Sequence, residues 1–143
     1  MKILQPPGWS PPRGYANGVA VEPGPGGVQV FVAGQIGWNA QCKFETDDLV
    51  EQVRQALLNV RDVLLEAGAT PQHIVRMTWY VTDKREYLAR GREIGAVYRD
   101  LIGSYAVAMS AVQVAALMED RAKVEIEVTA VLPAPEARPA ATP

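Results

Sequence analysis

Apolar and polar positions recur along this chain with two different periods, and the places where the period changes mark its elements. Val50, Val53, Leu57, Val60, Leu64 and Ala67 return every three or four residues, the spacing that lines one face of an α-helix. Asp47 or Thr46 stands where an N-cap would, and Gly68 follows where a C′ residue turns left-handed. Near the other end the period drops to two. Val124, Ile126, Val128 and Ala130 alternate with Lys123, Glu125, Glu127 and Thr129, which predicts a strand with one core face and one polar face. His73 to Val81 is rich in β-branched and aromatic residues and reads as a strand. Asp83 and Glu86 have capping-box-like spacing ahead of a second helix reaching about Ile102, and Ala108 to Val114 reads as a further strand. Upstream, Tyr15–Val21 and Val28–Gly34 read as a hairpin closed by the Pro- and Gly-rich turn at 22–27.

The resulting order, β-β-α-β-α-β-β, predicts an α+β fold: a mixed sheet with two helices packed on one face. The other face is then uncovered, and its Val, Trp and Tyr side chains predict self-association. Both termini are rich in proline and lack either period. We therefore expect a Pro-rich N-terminal arm over 1–13, a single domain over 14–132 and a Pro/Ala-rich tail over 133–143. A length of 143 residues with 48% apolar content suits one domain with an ordinary core.

Charge and cysteine content narrow the chemistry. A formal net charge of −2, without a basic cluster, argues against nucleic acid as a partner. Cys42 is the single cysteine and His73 the single histidine, which leaves no thiol pair or multi-histidine set for a metal and fits a reducing cytoplasm. The N-terminal run is too short and Pro-rich for a signal peptide, and no apolar stretch approaches a membrane span. GxGxxG, P-loop, GxSxG and HExxH patterns are absent, so no cofactor is expected. His73 reads as a turn or surface residue and Cys42 as incidental to its loop. Glu125 and Glu127 would place two carboxylates on one strand face about 7 Å apart. Such a pair serves either acid/base chemistry or plain solubility, depending on what covers it.

Three segments weigh on that choice. Gly14-Tyr15-Ala-Asn-Gly18, Val32-Ala-Gly-Gln-Ile36 and Val124-Glu-Ile-Glu127 together resemble the Rid (YjgF/YER057c/UK114-type) family of enamine/imine deaminases. Gln55-Ala-Leu-Leu-Asn59, Glu66-Ala-Gly68, Ile74 and Tyr80-Val-Thr-Asp83 fall in the family's order, so the resemblance spans residues 14–132. It implies a chorismate mutase-like fold of the bacillary type, assembled as a homotrimer that binds a small molecule in clefts between subunits. It also implies that Tyr15 and Gly34 line the cleft and that Glu125 positions or activates water for attack on an imine carbon. Where deaminating members carry an arginine in a Pro-Ala-Arg-Ser-type segment, this chain reads Val107-Ala-Met109-Ser110. A thioether cannot pair with a carboxylate. The family's cleft asparagine has no counterpart around Gly91-Arg92-Glu93, and Ala111 stands at its frequent cysteine position. The expected activity is therefore hydrolytic deamination of an imine, enamine or aminodiene other than 2-iminopropanoate. Met109, Ser110 and Trp38 would shape the altered cleft, although Trp38 equally suits packing within its loop. Arg13 or Arg121 could bring a charge from another direction. The alternative expectation is a trimer that binds a metabolite or protein without catalysis.

Overall fold

The structure, a computed structural model, describes residues 1–4, 6–11, 18–103 and 107–135, with backbone alone at 4 and 18–20. Two short strands, β1 (Lys2–Leu4) and β2 (Gly18–Ala20), pair antiparallel as a separate ribbon. The main sheet comprises β3 (Val28–Ile36), β4 (Ile74–Val81), β5 (Ala108–Gln113) and β6 (Val124–Leu132), in the spatial order β3-β6-β4-β5. β6 pairs antiparallel with β3 and β4, whereas β4 and β5 are parallel. A parallel pair needs a crossover, and α2 (Lys84–Ala89) and α3 (Gly91–Leu101) supply it. The fold is thus α+β with a mixed sheet and packed helices.

The long helix α1 (Leu49–Glu66) packs on β3, β6 and α3. Val53, Leu57, Val60 and Leu64 of its apolar stripe are fully buried with Met77, Trp79 and Ile126 of the sheet. Its N-cap is Asp48, one residue beyond the expected Asp47 or Thr46; Thr46 instead accepts a hydrogen bond from the Asp48 amide through its hydroxyl. At the other end Gly68 takes φ +70° as expected. The Ala69 and Gly68 amides then reach back to the carbonyls of Leu64 and Leu65, so the last carbonyls of the helix are satisfied.

Three stretches differ from the sequence reading. Among the described residues the hairpin between Tyr15–Val21 and Val28–Gly34 is not found: residues 12–17 lie outside them, and β2 pairs with β1. Pro23 and Pro25 have no N–H to extend a hairpin ladder. The N-terminal stretch, read from its composition as an aperiodic arm, contributes β1. The second helix is not continuous to Ile102 but breaks at Arg90, which closes α2 and opens α3 with φ −99° and ψ 15°.

Charge explains the break better than apolar spacing does. The Arg90 guanidinium forks onto both oxygens of Glu93, at 2.8 and 2.7 Å, and reaches Asp48 Oδ1 at 2.9 Å, tying the α2–α3 joint to the start of α1. These bonds from Arg90 are the first cause holding the Asp48 and Glu93 carboxyls below the usual carboxylate range. A carboxylate with a lowered folded pKa adds stability above its unfolded pKa and loses it as pH falls through the folded value. Arg90→Gln should therefore lower the thermal midpoint at pH 7. The gap from wild type should close as pH falls below about 4, where unfolded carboxylates protonate, and calorimetry across that range checks it.

Candidate functional site

Strand register decides which side chains share the face that the helices leave uncovered. Tyr80 lies opposite Glu125, Thr78 opposite Glu127 and Arg76 opposite Thr129. From the edge strand, Ala108, Ser110 and Val112 align with Arg76, Thr78 and Tyr80. Phe31 of β3, opposite Thr129, is 72% exposed on this face, and Val112 is 45% exposed. The face is therefore mixed: apolar at Phe31 and Val112, acidic at Glu125 and Glu127, with the Arg76 cation at one end.

The Glu125 carboxylate owes its position to an irregularity in β3. Val32 pairs with Val128 and Gln35 with Ile126, so Ala33 and Gly34 together face the single residue Glu127. This is a β-bulge, a device that re-aims side chains. A Cβ at Gly34 would fall within the Glu125 side chain, 2.6 Å from Cδ and 2.8 Å from Cγ. Glycine here is a matter of space rather than backbone sign. Gly34→Ala should displace the carboxylate and lower any Glu125-dependent turnover about 10- to 100-fold, because small misplacements of a reacting group carry penalties of that order. Its thermal midpoint should move little, since the displaced atoms end a movable side chain; steady-state rates and melting curves on the same variant check both.

Glu127 is held differently from its neighbour. Tyr80 donates its hydroxyl to Glu127 Oε1 at 2.6 Å, and this bond is the first cause raising the Tyr80 phenol above its ordinary value. Glu125 makes no hydrogen bond or ion pair among the described residues. Lys123, one strand step back on the same side, has its ammonium on Glu86 at 3.1 Å.

The remaining expected site residues are placed as follows. Tyr15 and Arg13 lie outside the described residues. Ser110 is exposed on the open face, in line with Thr78. Met109 is in register with the fully buried Met77 and packs, half-buried, against the helix-side core. Trp38 stacks at a tilt on Phe44, centroids 5.9 Å apart, and its carbonyl accepts from Asn59 Nδ2 at 2.8 Å. Arg121 lies over the Phe44 ring, donates to Asp47 at 2.9 Å and to the Phe44 carbonyl at 3.1 Å, and is thereby committed to the β3–α1 loop. His73 accepts the Thr70 amide through Nδ1 at 2.9 Å, closing a turn, and Cys42 is exposed in a loop. No group of three or more metal-ligating side chains occurs among the described residues.

Sequence reading missed three participants. The bulge had a signal, an isolated glycine inside a strand pattern. Tyr80 was read only as strand. Gln52 was hidden in the apolar stripe of α1, where it is fully buried and holds three backbone groups: the carbonyls of Thr46 and Arg121 and the amide of Lys123. It fastens the entry to β6, and hence Glu125, onto the helix. Gly37 makes room for this, since a Cβ there would meet the Gln52 backbone at 2.7 Å.

A mixed sheet with helices packed on one side is a fold that solved structures share, and residues 11–132 match the family described as Endoribonuclease L-PSP. The chain belongs to this family, the Rid (YjgF/YER057c/UK114) proteins. It is similar to YyfB of Yersinia pestis, a protein of the conserved Rid family, with 32% identity, a TM-score of 0.79 and coverage of 92% of this chain and 98% of that one. It is also similar to Escherichia coli TdcF with bound serine, at 33% identity and a TM-score of 0.62, covering 92% of this chain and 98% of that chain. The 2-iminobutanoate/2-iminopropanoate deaminase of Capra hircus is 32% identical over 103 residues, 71% of this chain and 72% of the relative.

Proposed function

We propose that this protein is a hydrolytic enamine/imine deaminase that works as a homotrimer of chorismate mutase-like subunits, with its ligand in a cleft between them. The observation that carries the reading is Glu125: a carboxylate on the open sheet face, seated over the Gly34 notch and free of hydrogen bonds among the described residues, in a chain related to an imine deaminase. A carboxylate so placed can orient a water and accept its proton as the oxygen attacks the imine carbon. With the imine nitrogen protonated, the C=N π pair moves to nitrogen as the oxygen attacks, giving a neutral carbinolamine. Glu125 returns its proton to nitrogen; a hydroxyl lone pair then forms the C=O as the C–N bond breaks, the hydroxyl proton passes back to Glu125, and ammonia leaves a carbonyl product. Tyr15, Gly34, Trp38, Met109 and Ser110 are the residues we assign to the ligand cleft.

Self-association follows from the same face. Phe31 and Val112 are apolar and exposed there, and a second copy would both cover them and enclose Glu125. Enclosure matters for the chemistry because a desolvated carboxylate is a stronger base.

The substrate we favour is not 2-iminopropanoate. Met109 occupies the position of the deaminases' arginine and packs toward the core, so it offers a ligand carboxylate no charge. That same observation favours a second reading, a trimer that binds a metabolite or a protein without turning it over. RNA cleavage, which the family description names, is disfavoured by charge: two carboxylates against one guanidinium on this face repel a phosphate backbone. Among the described residues no helix is long and apolar enough to cross a membrane, and the reducing cytoplasm remains our proposed location.

The test is ammonia release from freshly generated imines running from alanine-like through aromatic to extended dienamine compounds, with the oligomeric state followed by sedimentation. We expect a trimer and protein-dependent release, greatest for the larger compounds. A folded trimer inert on every compound would favour the binding reading.

A further inference from the structure

Resting on the deaminase reading, we propose that Tyr80 is a positioning residue that divides the labour between the two β6 carboxylates, tying Glu127 down and leaving Glu125 free to act. Glu125 and Glu127 are two residues apart on one strand face, about 7 Å along the strand. Two carboxylates so close on one face compete for a water or a cation and repel each other, so a site built on one of them must dispose of the other.

The structure disposes of it with a phenol. Tyr80 stands directly across from Glu125 in the β4–β6 register, yet its hydroxyl passes that direct partner and bonds the diagonal one, Glu127 Oε1, at 2.6 Å. Diagonal cross-strand neighbours are within reach of an aromatic side chain. A neutral phenol has one proton to give, so the donor is spent on Glu127 and Glu125 receives none. The phenol keeps that proton: the Glu127 bond, burial and the charges of Glu127 and then Glu125 all hold it above its ordinary range, against a smaller opposing influence from Arg76. At neutral pH Tyr80 therefore remains a donor toward Glu127. Its oxygen lone pair is left to accept a hydrogen bond, such as one from a ligand N–H.

Among the described residues the surroundings contain little else that titrates. From β4 the charged neighbour is Arg76; from β6 it is Glu127, with Lys123 engaged by Glu86. β3 brings Gly34 and Phe31, and β5 brings Ser110 and Val112, none of them ionisable near neutrality. Releasing Glu127 from Tyr80 would thus change the field at Glu125 through one group.

Three variants test this: Tyr80→Phe, Glu127→Gln and the double variant. Tyr80→Phe should cut kcat/KM about tenfold near pH 7 and move the acid limb of its pH profile to higher pH, because a freed like charge makes ionisation of the acting carboxylate harder. Adding Glu127→Gln should return the limb to its wild-type place, since a neutral amide removes that charge; a merely structural loss would not be reversed this way. A second readout needs no turnover. The alkaline absorbance difference between wild type and Tyr80→Phe isolates the Tyr80 titration, which should lie above the ordinary 10 and fall back toward it in Glu127→Gln. An unmoved pH profile in Tyr80→Phe, or a Tyr80 titration indifferent to Glu127→Gln, overturns the proposal. Absence of turnover in the wild type with the titration as expected would instead defeat the deaminase reading and uphold the hold of Tyr80 on Glu127.

Discussion

Glu125→Gln is expected to reduce imine hydrolysis by about 10²- to 10⁴-fold, the range by which a positioned general base accelerates such a step. The amide keeps the shape that fits over Gly34, so folding and assembly should be unaffected. The carboxamide nitrogen even retains hydrogen-bonding capacity toward water; what it loses is the ability to take a proton as the water attacks. For a protein that only binds, the same change would alter affinity and leave no rate to lose. Kinetics on whichever imine the wild type prefers, alongside a melting curve, separate the two. A Glu125→Gln variant as active as wild type would remove Glu125 from the mechanism.

The second large effect is on stability rather than chemistry. Gln52→Leu should destabilise the fold by about 3 kcal/mol, since an apolar side chain of similar size leaves the Thr46 and Arg121 carbonyls and the Lys123 amide without the partners Gln52 gives them. For a chain of this size that corresponds to a drop of roughly 6–12 °C in the thermal midpoint. The intuition that a leucine improves an apolar helix stripe predicts the opposite sign. Gln52→Glu should also destabilise, because it replaces the amide donor to both carbonyls with an acceptor. Calorimetry of the two variants decides the matter, and a Leu variant as stable as wild type would mean that these backbone groups find other partners.

Gln52 also illustrates what was legible in the sequence and what was not. Period-3.6 and period-2 patterns located α1 and β6 because burial on one face is a local, repeating demand; β-branched and aromatic content located β4, and Gly68 marked its own helix end. Long-range hydrogen bonding leaves no such repeat. A glutamine in an otherwise apolar stripe looks like a tolerated polar residue until the loop before α1 and the start of β6 are seen to converge on it. The expected hairpin is a related case: adjacency in sequence and a Pro/Gly turn favour pairing, but among the described residues Gly18–Ala20 takes its partner from β1, a pairing that no local signal marks. The helix break at Arg90 was invisible to apolar spacing because Asp48, its distant partner, belongs to another element.

The site was readable in part. Glu125 and Gly34 were expected on the strength of family resemblance, and the structure brings them together, the notch under the carboxylate giving the glycine its physical reason. Tyr80 was read as one more aromatic in a strand, since only the register reveals that it faces Glu125 and reaches Glu127. Met109, expected at the cleft from its place in the resemblance, and Trp38 also make contacts within the chain that their residue types did not announce, Met109 with the core and Trp38 with Phe44. Side-chain direction on an edge strand or in a loop depends on tertiary contacts that residue type does not encode.

The most direct measurement is the decay of a freshly formed aromatic or dienamine-type imine in the presence of the wild-type protein, compared with decay in buffer alone. The deaminase account predicts a rate that rises in proportion to protein concentration, with one ammonia released for each imine consumed. Decay indistinguishable from buffer across all concentrations, with the protein folded and assembled, would contradict it.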